Sequence, residues 1–228
     1  MSSFIQGSRR PRLSSSSAPH QAAATPPTNS RDLLASLPSE HLDEIFRRLP
    51  IKDVVRTSTL AKGWRNRWVI CPGLQLVFSS NNPIGAVDSV LSKYTCHVEV
   101  FEVHITNQCC SMLEGWFHAL ADKGVGSIKF NCFPATHFEA AIVPNSLFMC
   151  RGITKLFLEF CKIPLLPSTF QGFSELELLV VHKVIFPKNG ERTFEALISM
   201  SPSLKTLEIM SPMFESHDDL VYSEWTDH

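Results

Sequence analysis

One apolar spacing recurs five times between residues 98 and 209: an apolar residue, a second three positions later, and a third two positions after that. The second and third residues stand at the period of a β-strand, in which alternate side chains share a face. Their first residues lie 27, 28, 23 and 28 positions apart. A unit of this size cannot cover its own apolar face, so consecutive units must stack. The five triplets are Val98/Phe101/Val103, Val125/Ile128/Phe130, Ile153/Leu156/Leu158, Leu176/Leu179/Val181 and Leu204/Leu207/Ile209.

This period and an L-x-x-L-x-L skeleton are typical of leucine-rich repeats. The stretches between the strands fit that interpretation. Leu113, Trp116, Phe117 and Leu120 form one helical stripe before Gly124, and Phe194, Leu197 and Ile198 form a shorter one. Residues 144–150 leave room for one helical turn. We therefore predict a short α/β solenoid of about five parallel strands over residues 97–215.

The segment before the repeats has the pattern of a three-helix module. Leu42, Ile45, Phe46 and Leu49 fall at i, i+3, i+4 and i+7, with Ser39 as a candidate cap and Pro50 as the stop. A second helix is predicted over 52–57 and a third over 61–70, where Trp64 and Trp68 are one turn apart and belong to the core. Three such short helices make a small core, which requires a partner or a following domain.

The remaining segments complete the predicted organisation. Residues 1–31 contain four arginines and no acid, together with prolines and a serine run. This composition predicts a disordered tail over 1–32; it also fits an organelle transit peptide, although no amphipathic pattern supports that alternative. The helical module then covers 33–73, a connector 74–96, the repeats 97–215, and a polar tail 216–228.

Charge and hydropathy exclude several classes of protein. The formal net charge is −1, so no basic field indicates a nucleic-acid partner. No apolar run approaches the roughly 18 residues of a membrane span. Neither nucleic acid nor a membrane is expected as a partner.

No catalytic or metal motif stands out. The sequence has no P-loop, H-E-x-x-H or G-x-S-x-G, and its seven cysteines include no C-x-x-C pair. Gly124 and Gly126 lack the third glycine of a dinucleotide fingerprint and precede a strand. We expect no enzyme activity, no cofactor and no metal, and reduced thiols in the nucleus and/or cytoplasm.

Two stretches resemble a known family. The run LPSEHLDEIFRRLPIKDVVRTSTLAKGWRNRWVICPGLQL closely resembles the F-box of plant F-box proteins, and residues 143–186 resemble the repeats of plant F-box/LRR proteins of the FBD-associated type. The resemblance implies an α+β multidomain protein in which the F-box docks on a Skp-type adaptor, and through it on a cullin, as the non-catalytic substrate receptor of an SCF ubiquitin ligase. By matched position, the adaptor-facing residues would be Leu37, Pro38, Ile45, Leu49, Pro50 and Val54.

An unknown target protein would then bind the open side of the strands, where we expect Glu102, Lys129, Phe157, Val180 and Glu208 to point outward. Phe157 beside Val180 would form an exposed apolar patch, unless a neighbouring loop covers both. Two alternatives stay open. The chain could be a non-ligase or truncated scaffold that binds the adaptor without delivering a target. A small-molecule receptor would need a basic pocket, and Lys129 is the one basic residue among the outward strand positions.

Overall fold

A computed structural model describes residues 37–60, 64–106, 110–133 and 140–215. The predicted tails, 1–32 and 216–228, lie outside the described residues. In chain order the elements are α1 (Ser39–Arg48), α2 (Ile51–Arg56), β1 (Leu74–Phe78), α3 (Ile84–Lys93), β2 (Val98–Ile105), α4 (Cys110–Lys123), β3 (Val125–Cys132), β4 (Ala141–Ile142), β5 (Lys155–Glu159), β6 (Cys161–Lys162), β7 (Leu178–His182), β8 (Ile185–Phe186), α5 (Gly190–Ser199), β9 (Thr206–Met210) and β10 (Met213–Phe214). Short 3₁₀ turns cover Thr57–Thr59, Arg67–Ile70 and Asn145–Met149. Within the described ranges, no helix is long and apolar enough to cross a membrane.

The N-terminal helices follow the predicted stripe, with two differences in detail. Pro38 occupies the N-cap position of α1 and no side chain caps the helix, so Ser39 is its first residue instead of its cap. The third helix is a 3₁₀ turn over Arg67–Ile70 in the part that the structure describes. Trp64 and Trp68 are buried, as predicted, and the Trp64 ring packs edge-on against Phe46 at 5.7 Å between centroids.

Six parallel strands form the main sheet in the order β1-β2-β3-β5-β7-β9. The second and third residues of the five predicted triplets lie in β2, β3, β5, β7 and β9. The predicted stack of parallel strands is therefore confirmed. Helices α4 and α5 and the turn at Asn145–Met149 lie where the apolar stripes predicted them. The short strands β4, β6, β8 and β10 form a second parallel sheet.

The segment assigned to a connector, 74–96, contains β1 and α3. Strand β1 pairs in parallel with β2 and adds a strand to the five predicted from the triplets. The apolar residues of β1 are spaced by two and two, Leu74, Leu76 and Phe78. A register shift between Leu74 and Gln75 aligns this spacing with the three-plus-two spacing of β2. The irregularity removed the signal on which the prediction depended.

The core runs without a break from the helical module into the repeats, and one hydrophobic cluster contains Phe46, Trp68 and Leu76 as well as the inner faces of later strands. Tilted and edge-on aromatic contacts join Phe78 to Phe101, Phe101 to Phe117 and Phe117 to Phe130, at 5.9 to 6.3 Å between centroids. Such pairs add to the free energy gained from burial. The helical module and the first repeats therefore share one packed interior.

A repeated turn joins the two sheets. After β5, β7 and β9, a non-glycine residue adopts a left-handed conformation: Phe160 at φ 54°, Lys183 at φ 50° and Ser211 at φ 49°. The amide of Phe160 donates to the carbonyl oxygen of His182 at 3.0 Å, and that of Lys183 donates to Met210 at 2.8 Å. These turns redirect the chain from the main sheet into the second one and leave residues 160 and 183 half-buried at the corner.

Candidate protein-binding surfaces

The first candidate surface is the outer side of α1 and the Leu49-Pro50 step that follows it. The inner side of the helix carries Leu42 and Phe46, which are buried, whereas Ile45 is 40% exposed. Pro38 and Pro50 are exposed, and Leu37 and Leu49 are half-buried against the core. Five of the six predicted adaptor-facing residues therefore reach the surface, and they lie before, on and after the same helix.

Val54 does not reach this surface. Its side chain is fully buried in the core cluster, so in this structure it offers no surface to an adaptor. The neighbouring Val55 is half-buried, so it reaches the surface where Val54 does not. The role of the other five residues in adaptor binding stays a prediction.

Polar contacts fix the position of α1. One guanidinium nitrogen of Arg67 donates to the carbonyl oxygen of Ser39 at 3.1 Å and to Asp43 Oδ1 at 3.3 Å. Arg47 Nε donates to the carbonyl oxygen of Pro72 at 3.1 Å, which ties the end of α1 to the segment that leads into β1. These contacts hold the outer face of α1 in one conformation. A surface that is already ordered loses less conformational entropy when it binds a partner.

The second candidate surface is a row across the open face of the main sheet. Register pairs Glu102 with Lys129, Lys129 with Phe157, Phe157 with Val180, and Val180 with Glu208. The five predicted target-contact residues thus lie side by side in one line. Val77 of β1 extends the line beyond Glu102 and is 41% exposed. It was not predicted because no repeat triplet falls in this segment.

The β2 and β3 end of the row is polar and internally paired. Glu102 Oε1 lies 2.7 Å from His104 Nε2 and 3.4 Å from Lys129 Nζ. Burial acts to raise the pKa of Glu102, but the hydrogen bond with His104 and the charge of Lys129 together outweigh it, so the pKa lies below its usual value. Glu102 is therefore ionised at neutral pH, and its charge is balanced within the surface. A second pair follows along the sheet, since Asn131 Nδ2 donates to Glu159 Oε2 at 2.5 Å.

The middle of the row is more closed than predicted. Val180 is 6% exposed although it lies outside the core cluster, and Phe157 is half-buried. The sequence left open whether Phe157 and Val180 form an exposed apolar patch or are both covered. The structure lies between these outcomes, because Val180 is buried and Phe157 is partly accessible. Val180 offers a partner little surface, so its role as a contact residue is not supported, whereas Glu102, Lys129, Phe157 and Glu208 have accessible side chains.

An aromatic group at the carboxyl ends of β3, β5 and β7 was not identified from the sequence. The rings of Phe133 and Phe160 meet edge to face at 5.1 Å between centroids, and His182 lies 5.3 Å from Phe160 on its other side. Lys183 Nζ lies 5.3 Å from the centre of the Phe160 ring. None of these four residues belongs to a repeat triplet, so the spacing that predicted the strands gave no signal for them. Among the described residues, no group of three or more His, Cys, Asp or Glu side chains could hold a metal ion.

Comparisons with known proteins match two separate parts of the chain. The F-box domain model matches residues 34–74, and the family model described as "FBD-associated F-box protein At5g56370, LRR repeats" matches residues 113–220. Among curated relatives from Arabidopsis thaliana, FBD-associated F-box protein At5g56370 is 30% identical over 78% of this chain and 43% of its own length. F-box/FBD/LRR-repeat protein At1g13570 is 27% identical over 79% of this chain and 44% of its own length, and F-box/LRR-repeat protein 13 is 28% identical over 78% and 41%.

The chain spans about two fifths of the length of the curated relatives it matches. The two family matches cover different elements of the fold. One covers α1, α2 and the turn at Arg67–Ile70, and the other begins within α4 and extends through the later strands. The chain therefore contains an F-box domain, and its later repeats are similar to the leucine-rich repeats of the FBD-associated type.

Proposed function

We propose that this chain is the substrate-recognition subunit of an SCF-type ubiquitin ligase. Its F-box would dock on a Skp-type adaptor, and through it on a cullin, while its repeats hold a target protein. The observation that carries the proposal is the outer face of α1: within an F-box fold, Ile45 is 40% exposed and is flanked by exposed Pro38 and Pro50. Apolar side chains held on the surface by polar anchors favour protein docking.

The chain would act without chemistry of its own. A receptor that binds both an adaptor and a target raises the local concentration of acceptor lysines near the conjugating enzyme, which replaces a bimolecular encounter with an intramolecular one. The continuous core between F-box and repeats supports this role, because a stiff connection holds the target at a fixed place. We place the chain in the nucleus or the cytoplasm, where seven cysteines without a C-x-x-C pair would stay reduced.

The docking assignment is tested by co-purification of the full chain with a Skp-type adaptor. Ile45→Arg places a charge on the exposed face without entering the core, and we expect at least about a tenfold loss of adaptor binding. Leu165→Arg, at a residue 66% exposed and outside the F-box, is the matched control and should bind as the wild type does. Val54→Asp is unsuitable, because burying a carboxylate would unfold the module. Undiminished binding by Ile45→Arg would exclude docking through α1.

The scaffold alternative is separated by a second measurement. The ligase proposal predicts that blocking the proteasome raises the level of a protein that co-purifies with the chain, the adaptor and a cullin together. A scaffold that binds the adaptor alone would recover no cullin and stabilise no bound protein. That result would replace the ligase proposal with the scaffold.

A further inference from the structure

The last described strands of the two sheets lie at the same end of the repeats, because within the described ranges β9 pairs only with β7 and β10 only with β8. Their exposed apolar side chains form a surface here called the open edge: Leu207, Ile209, Met210, Met213 and Phe214. Each of them is 36–47% exposed. The opposite edge of the main sheet is closed, since Leu74 and Leu76 of β1 are at most 1% exposed and share the hydrophobic cluster of the F-box. An apolar strand edge of this kind is a surface to which another chain can add.

The inner side chains of β9 show what such an addition would cover. Leu207 and Ile209 occupy the positions that Leu179 and Val181 occupy in β7, and those two are fully buried. In β7 a neighbouring strand lies on each side, whereas β9 has one on a single side among the described strands. An extended segment beside β9 would therefore cover Leu207 and Ile209 as β9 covers the inner residues of β7.

The backbone of β9 also faces the open edge at alternate residues. The amide of Thr206 donates to the carbonyl oxygen of Glu177 at 3.0 Å, so the backbone groups of Thr206 point toward β7. Because successive residues of a strand point in opposite directions, the amides and carbonyl oxygens of Leu207 and Ile209 point away from β7. Donors and acceptors in this arrangement are a template for an added strand.

Glu208 indicates the chemistry of the partner. It is the one charged residue of β9 and β10, and its exposed side chain has no hydrogen bond or ion pair with a described residue. In the same row of the sheet, Glu102 of β2 lies 3.4 Å from Lys129 of β3, its register neighbour. A basic side chain on a strand beside β9 would pair with Glu208 in the same way, and an acidic one would be repelled.

This charge disfavours a second copy of the chain as the occupant. A two-fold pairing of β9 with its copy is antiparallel if both inner faces lie on the same side of the sheet. Over all five residues such a pairing is centred on Glu208, so the two carboxylates would lie directly opposite each other. Like charges in that position destabilise a strand pair.

We propose that the open edge binds an extended segment of the target protein in which a lysine or arginine stands between two apolar residues. The segment adds a strand to the main sheet, with its apolar side chains beside Leu207 and Ile209 and its basic side chain beside Glu208. Its five residues, about 17 Å long, match the length of β9. This inference rests on the proposed function, since it names the part of a target that the receptor reads.

The test uses the full chain and a displayed library of random peptides. Selection should enrich peptides in which a lysine or arginine lies between two apolar residues. An enriched sequence is then made as a synthetic peptide, together with a second peptide in which glutamate replaces the basic residue. Because the charge opposite Glu208 changes from attractive to repulsive, the first should bind about three- to tenfold more tightly than the second.

Methylated peptides test whether the backbone of the segment pairs with β9. One peptide is methylated at the amide nitrogen of the basic residue, and the other at the amide nitrogens of the two apolar residues. Only amides that face β9 take part in the ladder, so one of the two peptides should lose at least about tenfold in affinity while the other keeps it. Loss from the first pattern identifies a parallel strand, and loss from the second an antiparallel one.

Charge variants test the role of Glu208. Glu208→Lys should reverse the preference, so that the glutamate peptide binds better than the basic one. Since this side chain is exposed, the melting temperature should stay near that of the wild type. Glu99→Lys is the matched control: it makes the same change at an exposed position of β2, four strands from β9, and should leave both affinities unaltered.

Four results would overturn the inference: no enrichment of such peptides, equal affinities for the basic and the glutamate peptide, equal effects of the two methylation patterns, or an unchanged preference in Glu208→Lys. A dimer of the full chain that the enriched peptide dissociates would assign the open edge to a second copy and would overturn it as well.

Failure of the proposed function is recognised separately, by adaptor co-purification with the same preparations. A chain that binds these peptides through β9 but binds no adaptor would keep the open edge as a binding surface and lose the ligase role. A chain that binds the adaptor and selects no such peptide would keep the docking assignment and lose this inference.

Discussion

The hydroxyl oxygen of Tyr94 lies 2.7 Å from the carbonyl oxygen of Cys71, and through this contact the residue that follows α3 holds the end of the F-box. The same hydroxyl lies 2.8 Å from the carbonyl oxygen of His97 and accepts the amide of Leu74 at 3.2 Å. Tyr94 is fully buried. One side chain therefore joins the last turn of the F-box to the first two strands of the repeats, and it fixes their relative orientation.

Tyr94→Phe should destabilise the chain by about 1–3 kcal/mol, because it leaves a buried carbonyl oxygen and a buried amide without their partner. The measurement is the free energy of unfolding from urea titration. Thr95→Val is the matched control at the same junction: its exposed hydroxyl donates to Val69 at 2.9 Å, and that carbonyl oxygen keeps the amide of Thr95. We expect the control to change stability by less than about 0.5 kcal/mol. Equal losses in the two variants would contradict a special role for Tyr94.

Alkaline pH should weaken the same junction. Burial raises the pKa of Tyr94 to about 12, and burial, followed by the charge and hydrogen bond of Asp43, raises the pKa of Cys71 to about 12. Both groups keep their protons in the folded chain when the unfolded chain has begun to release them. Their contribution is therefore complete below about pH 9 and is lost as the pH rises toward about 12, by up to about 1.4 kcal/mol per pH unit for each group.

Urea titrations under reducing conditions at about pH 7 and about pH 10.5 measure this loss. Tyr94→Phe lacks one of the two groups, so its stability should fall less steeply with pH than that of the wild type. Identical pH dependence in the two proteins would show that Tyr94 titrates normally in the folded chain.

Position in the repeat array should decide the cost of truncating a leucine. Leu179 and Leu207 pair in register and occupy the same place in successive repeats, but Leu179 is fully buried whereas Leu207 is 37% exposed. Leu179→Ala should cost about 2–5 kcal/mol. Leu207→Ala should cost less than about 1 kcal/mol, because much of its surface already faces water. Equal losses would show that another surface covers β9 in solution.

The sequence predicted the repeats well because the same two positions of each triplet are buried in successive strands. In β1, β2, β3, β5 and β7 the two inner positions of each strand are at most 3% exposed, for example Phe101 and Leu158. A periodic signal of this kind survives irregular loops. It failed at β1, where the register shift near Leu74 changed the spacing, and it could not show that Ile209 of β9 is 42% exposed. The exposure of a strand at the end of the sheet depends on whether another strand packs beside it, and the residues of a single triplet do not encode that.

The candidate surfaces were harder to predict than the fold. Helical periodicity placed Ile45 and Phe46 in one apolar stripe of α1, and it did not predict that Phe46 would be buried while Ile45 is 40% exposed. Ile45 was assigned to the outer side by the resemblance to the F-box. Periodicity could not assign Val54, since α2 has six residues and the inward direction is set by what packs on it. The aromatic contacts of Phe160 were not predicted for another reason: its position depends on a left-handed turn that asparagine or glycine would normally mark.

Gly172 should be the least replaceable of the glycines in the later repeats. It has φ +94°, and a Cβ there would collide with the carbonyl group of Met200, which accepts the amide of Phe173 at 3.1 Å. Gly172→Ala should therefore lower the free energy of unfolding by about 3 kcal/mol or more, because neither the backbone angle nor the neighbouring turn can adjust cheaply.

Gly152→Ala is the control, since no other atom lies within 4 Å of the added Cβ. Its free energy of unfolding should stay within about 0.5 kcal/mol of the wild type. Thermal and urea unfolding measure both. Wild-type stability in Gly172→Ala would show that this loop does not pack against the end of α5 as the structure places it.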